Sequence, residues 1–226
     1  MRHGGEKRMS DFEIYRYGDP TAGTVLLQMV DDHDMGFLEQ EAELIREATG
    51  KDFLLAAVKV TNWNNDLSPW PAPAVFGKED FGGRAADTLA FLLSEVIPDL
   101  TDPNPEEKKE IYIGGYSLSA LFALWASCQT NAFAGVAAAS PSIWFPGFTD
   151  YLRDNPPRCK AVYLSLGDKE EKTRNPVMAR VGTAIREAED ILKESSIDCV
   201  LEWNPGNHFK EPDKRTAKGF EWVLGR

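Results

Sequence analysis

The sequence predicts an α/β fold, with a mostly parallel central sheet and helices on both faces, and three observations carry that prediction. Short apolar runs rich in strand formers alternate with longer stretches of helical spacing from residue 24 onward. The run "IYIGG" (111–115) passes through Tyr116 and Ser117 straight into the helix formers "LSALFALWASC", as a tight strand-to-helix turn requires. The chain has 226 residues, 42% of them hydrophobic, which is enough for one substantial core. Residues 1–226 are therefore expected to form one domain, with 1–10 as a flexible charged tail.

The elements follow in order. "TVLLQMV" (24–30) reads as the first strand, and "FLEQEAELIREATG" (37–50) as a helix closed by Gly50. "FLLAAVKV" (53–60) is a second strand. The stretch 61–83 is dense in Trp, Pro, Gly and Asn, too irregular for an element and too aromatic for an inert linker. Leu, Phe and Ile at helical spacing make 84–100 a helix, and 101–110 a solvated connection. After the strand 111–115 come a buried helix (117–128), strands at 133–140 and 160–167, a helix at 175–195, a strand at 198–206 and a closing helix at 213–225. In such a sheet the site lies at the carboxyl ends of the strands.

The formal net charge of -11 repels phosphate backbones and anionic membrane surfaces, so nucleic acid and membrane are not expected partners. Cys128, Cys159 and Cys199 lack the spacing of a zinc knuckle, a CxxC pair or a disulfide framework and read as buried thiols. The N-terminal "MRHGGEKRMS" has no apolar core, and no later stretch is long enough to cross a bilayer. A cytoplasmic protein is the expectation, with a homodimer as a possible assembly.

A turn between strand and helix that holds its central residue in strained backbone needs small neighbours two before and two after it. Gly115, Ser117 and Ser119 fit, although G-Y-S-L-S has serine where G-x-S-x-G ends in glycine. Ser117 is then either a nucleophile or a helix N-cap. A serine hydroxyl attacks only when a base takes its proton. Of the three histidines, His3 lies in the tail, His33 follows the first strand, and His208 follows the last, so His208 is the candidate base; the alternative is an exposed loop residue. An acid to orient it is available after the strand ending at Gly167, where Asp168, Glu170 and Glu171 stand. Ser, acid and His in that chain order match the hydrolase pattern.

These pieces together resemble the esterase branch of the α/β hydrolases that includes esterase D-like, feruloyl esterase-like and enterochelin-type siderophore esterases. The matching segments are "VLLQMVDDHD", "NDLSPW", "FGGRAADTLAFLLSEVIPDL", "GGYSLSALFALW", "AAASPSIWF", "GDKEE" and "GNHF", spread over nearly the whole chain. The resemblance implies an α/β-hydrolase fold and hydrolysis of a small-molecule carboxylic ester or thioester through an acyl-enzyme, with no cofactor or metal. It favours Glu170 as the acid, three residues past the glycine, with Asp168 second. The oxyanion donors would be the N–H groups of Leu118 and of the turn near Asp31. The loop carrying Asp66 and Ser68 would border the substrate, with Trp63, Trp70, Tyr116 and Trp144 as further pocket residues. Asp31, Asp32, His33 and Asp34 read as an acidic pocket mouth in preference to a metal site. An acyltransferase, or a non-catalytic binder on the same scaffold, is the alternative.

Overall fold

The structure is a computed structural model that describes residues 12–101 and 108–226; the expected tail at 1–10 and most of the expected connection 101–110 lie outside them. The chain enters as β1 (Glu13–Gly18), β2 (Thr24–Val30), α1 (Leu38–Thr49) and β3 (Leu54–Lys59). Gly50 closes α1 at φ 62, the left-handed cap that favours glycine. The aromatic stretch then forms α2 (Trp63–Asp66) and a two-residue ladder of β4 (Pro71–Ala72) with β5 (Phe81–Gly82).

α3 (Ala85–Phe91) continues through a π-helical turn at Leu92–Val96 into α4 (Ile97–Thr101). Ile97 N–H reaches back five residues to Leu92 O, and the widened turn relieves the clash that Pro98 would make with an α-helical carbonyl before it. The remaining elements are β6 (Glu110–Tyr116), α5 (Leu118–Gln129), β7 (Gly135–Ala139), α6 (Phe148–Asp154), β8 (Ala161–Gly167), α7 (Val181–Glu194), β9 (Asp198–Asn204) and α8 (Pro212–Leu224).

Seven strands form one sheet in the order β1-β3-β2-β6-β7-β8-β9. Only β1 runs antiparallel, with Glu13 opposite Lys59 and Gly18 opposite Leu54; the other pairs are parallel. Alternate side chains of β2 go to opposite faces. Val25, Leu27 and Met29 join a core with Leu121, Phe91 and Ile185, while Leu26 joins Ile45, Tyr163 and Phe220. Thus α1 and α8 cover one face, and α3, α5 and α7 cover the other. α5 is buried at every position from Leu118 to Cys128, which is why its sequence is apolar all round. Five elements escaped the sequence reading: β1, a half-exposed edge strand, the seven-residue α6, and the short α2, β4 and β5 inside the stretch 61–83 that reads as too irregular for an element. No helix among the described residues is long and apolar enough to cross a membrane.

Candidate active site

The site is built where β6 meets α5. Ser117 sits at φ 59, ψ -121, a region costing a non-glycine residue about 1–3 kcal/mol. The turn is pinned on both sides: Ser117 N–H donates to Ala139 O at 3.2 Å, and Ser117 O accepts from Leu121 and Ser142 N–H at 3.1 and 3.0 Å. Gly115 stands at φ 147, and a Cβ there would fall on Ser119 Oγ. Ser119 itself is buried and donates to Met29 O at 2.8 Å, tying the start of α5 to the end of β2. The Ser117 side chain makes no cap bond to the helix. Its Oγ faces His208 Nε2 at 3.1 Å and Ser142 Oγ at 3.3 Å.

His208 lies in the loop between β9 and α8, with Nδ1 2.7 Å from Glu170 Oε2. Glu170 Oε1 accepts from Gly167 N–H at 2.8 Å, Ser140 Oγ at 2.8 Å and Arg215 Nη1 at 3.0 Å. Burial alone would push this carboxyl's pKa up. The hydrogen bond and charge of His208, with the donors at Gly167 and Ser140, outweigh it and hold the pKa below the ordinary value. The structure therefore brings Ser117, His208 and Glu170 into one hydrogen-bonded line.

Other expected residues lie elsewhere. Asp168 does not face His208; its Oδ1 accepts from Gly206 N–H at 2.7 Å and joins the two loops. Glu171 pairs with Arg186 at 3.4 Å. Leu118 N–H is in the first turn of α5, where a helix leaves its amides without internal acceptors. Asp31 N–H, expected as the second oxyanion donor, is already engaged by Asp34 Oδ2 at 3.1 Å. Asp31 Oδ1 in turn accepts from His33 N–H at 2.7 Å, and Asp32 pairs with Lys59 at 2.7 Å. These carboxylates satisfy the local turn. Burial raises the Asp34 pKa to about 6.

The loop residues divide. Asp66 and Ser68, expected beside the substrate, are buried as scaffold: Asp66 Oδ2 accepts from Asn62 N–H at 3.2 Å, and Ser68 Oγ joins Asn64 O at 2.6 Å to Gly83 N–H at 2.8 Å. Trp63 packs against the core, and Trp70 donates to Pro146 O at 3.0 Å among Phe145, Phe148 and Tyr151. Tyr116 lies behind His208, donating to its carbonyl at 2.7 Å. Trp144 does line a cleft of about 250 Å³ with His208. A larger cavity of about 420 Å³ opens at the other end of the strands, beside Ile111, Phe133 and Arg158, away from this site.

The sequence reading missed Ser140 and Ser142, which touch Glu170 and Ser117, and above all it missed Arg215. It is 2% exposed, and besides Glu170 its Nη1 donates to Tyr116 Oη at 3.0 Å and Ser140 Oγ at 3.2 Å. Its Nη2 holds Pro205 O at 3.3 Å and Asn207 O at 3.2 Å, on the His208 loop. One signal was present: Arg215 falls on the same helical stripe as Gly219, Phe220 and Val223, the buried side of α8.

Neither a family model nor a curated protein matches the sequence. Solved structures do match the fold. An IroE-like serine hydrolase from Shewanella oneidensis superposes with a TM-score of 0.77 at 15% identity, over 96% of this chain and 77% of that one. Siderophore hydrolase EstA from Aspergillus nidulans gives 0.67 at 16% identity over 99% of both chains. The enterobactin esterase FES from Shigella flexneri gives 0.62 at 14% identity, over 94% of this chain and 55% of that one. The chain therefore has the α/β-hydrolase fold that these serine hydrolases and esterases share.

Proposed function

We propose that the chain is a serine hydrolase that cleaves a carboxylic ester through an acyl-enzyme. The observation that supports this reading is the hydrogen-bonded line from Ser117 through His208 to Glu170, set on a strained turn at the carboxyl end of the sheet. Ester hydrolysis is also the activity carried in the name of the enterobactin esterase, and hydrolysis that in the name of the siderophore hydrolase, whose fold it shares.

In this mechanism Ser117 Oγ attacks the ester carbonyl while His208 Nε2 takes its proton. Glu170 holds the imidazole by Nδ1 and stabilises the imidazolium, and Leu118 N–H donates to the oxyanion. His208 returns the proton to the departing alcohol. Water then repeats the sequence in reverse and frees the acid. Cys128, Cys159 and Cys199 are free thiols, and burial pushes the first two up to about 12 and about 11. Unreactive reduced thiols suit a reducing compartment such as the cytoplasm.

The test is labelling with a fluorophosphonate probe and turnover of p-nitrophenyl acetate. Wild type should label and turn over, and both signals should vanish in Ser117→Ala, with turnover lost in His208→Ala. Wild-type protein that is folded by circular dichroism yet takes no label would reject the reading in favour of a binding role.

A further inference from the structure

We infer that the cleft beside His208 receives the alcohol half of the ester, and that this half carries a carboxylate. The inference rests on the esterase reading above. The cleft of about 250 Å³ has apolar walls in Trp144, Met178 and Phe209, and Lys169 and Lys172 stand on its lining. Phe209 is 86% exposed and stands edge-on to the His208 ring, with centroids 5.6 Å apart. A large apolar side chain held in water beside a reactive imidazole is available surface for a substrate's hydrocarbon.

The charges point the same way. The chain carries 36 acidic and 25 basic residues, and several surface lysines elsewhere sit against carboxylates, Lys59 on Asp32, Lys193 on Glu189 and Lys214 on Glu211, while Lys51 and Lys109 donate to the carbonyls of Leu224 and Pro20. Among the described residues, Lys169 and Lys172 have no carboxylate within ion-pair distance. Glu170 is the one acid in the lining, and both its oxygens are engaged, by His208 and by Arg215. The cleft is thus locally cationic in an anionic protein, and it attracts an anion.

The direction of the chemistry assigns the cleft to the alcohol. The proton leaves Ser117 Oγ for His208 Nε2, the bond from Oγ to the acyl carbon forms, and the ester C–O bond breaks as His208 protonates the departing oxygen. That oxygen must lie on the His208 side, where the cleft opens, while Leu118 N–H draws the acyl oxygen toward α5.

The test compares 4-acetoxyphenylacetate with 4-acetoxyphenylacetamide, which share the acyl group and the phenol and differ in one charge. Wild type should prefer the carboxylate about tenfold in kcat/KM at low ionic strength, the scale of two lysine contacts at a water-exposed rim. The preference should fall toward unity in 0.5 M NaCl and in Lys169→Ala/Lys172→Ala. A wild-type ratio near one, or a preference that survives loss of both lysines, overturns the inference. Should neither ester turn over, titration calorimetry with the product 4-hydroxyphenylacetate still decides. Binding that weakens about tenfold without the lysines upholds the subsite and discards the esterase reading. Absent or lysine-independent binding overturns the subsite.

Discussion

Replacing Arg215 by methionine should both loosen the fold and cripple the site, because among the described residues the guanidinium is the one cation that touches the buried Glu170 carboxylate directly apart from His208. Two unit charges 3.0 Å apart attract by about 5 kcal/mol at an effective dielectric of about 20. Removing one member of a buried pair costs about 3–5 kcal/mol in practice, since methionine fills the volume but leaves the carboxylate with its hydrogen bonds alone. Urea unfolding followed by tryptophan fluorescence should show a midpoint lower by about 1 M or more. The companion Arg215→Met/Glu170→Leu variant removes both charges and should be more stable than Arg215→Met alone. The pH dependence has a defined sign. The Glu170 pKa is held below the ordinary carboxylate value, so its stabilisation is present above that value and is lost as pH falls through the folded one. Without Arg215 the folded value rises, and the gap between variant and wild type should narrow on acidification. Loss of the bonds to Pro205 O and Asn207 O should also lower kcat with p-nitrophenyl acetate. An Arg215→Met protein within about 1 kcal/mol of wild type and equally active would refute the argument.

The other predictions concern backbone and buried acids. Gly115→Ala should destabilise the protein by more than about 2 kcal/mol, because the residue stands at φ 147 and its new Cβ meets Ser119 Oγ; thermal unfolding measures it, and a stable alanine variant would mean the turn can relax. Asp34→Asn should raise stability at pH 8 by about 1–3 kcal/mol. Burial lifts the Asp34 pKa from 3.8 to about 6, so its ionised form strains the fold above that value, while the amide oxygen can still accept from Asp31 N–H. The gain should shrink to nothing by pH 4, and a gain independent of pH would assign it to something other than charge. Glu41 is buried, its Oε1 has no hydrogen-bond partner among the described residues, and burial pushes its pKa well above the usual value. Glu41→Gln should therefore flatten the loss of stability that wild type shows as pH rises above 5, read by urea midpoints at pH 5, 7 and 9; a variant that loses as much on that rise would discard the argument.

The parts of the fold that were legible are those where one physical signal dominates. β2, β3, β7 and β8 are buried on both faces and read as continuous apolar runs, and α7 buries Val181, Ile185, Ala188 and Ile191 at helical spacing. β1 was not legible because an edge strand keeps Glu13 and Arg16 among its side chains and has only one neighbour to specify it. The positions of Ser117, Glu170 and His208 could be read because each follows a strand end. Their second layer could not. Arg215 looks like any surface cation of an amphipathic helix until the loop carrying Asn207 closes over it. Asp66 and Ser68 have the polarity of ligand-binding residues, and only the tertiary structure reveals that the backbone of Asn62 and Gly83 uses that polarity instead.

The elbow shows why a single mismatch in a motif says little by itself. Small residues are required before and after the turn because strand and helix nearly touch, so what matters is the space shared by the pair. Here the later position is Ser119, whose hydroxyl occupies the space a Cβ on Gly115 would need and donates to Met29 O. The steric demand has moved entirely onto Gly115. In exchange the serine supplies what a glycine cannot, a hydrogen bond between the end of β2 and the start of α5, whose Leu118 amide faces the reacting oxygen in the proposed mechanism. A glycine at 119 would also raise the cost of ordering the first turn of α5 by about 0.5 kcal/mol. The departure from G-x-S-x-G thus keeps the strained Ser117 conformation and stiffens its support, so the pattern of sizes around the serine is a better guide to an elbow than the identity of its last residue.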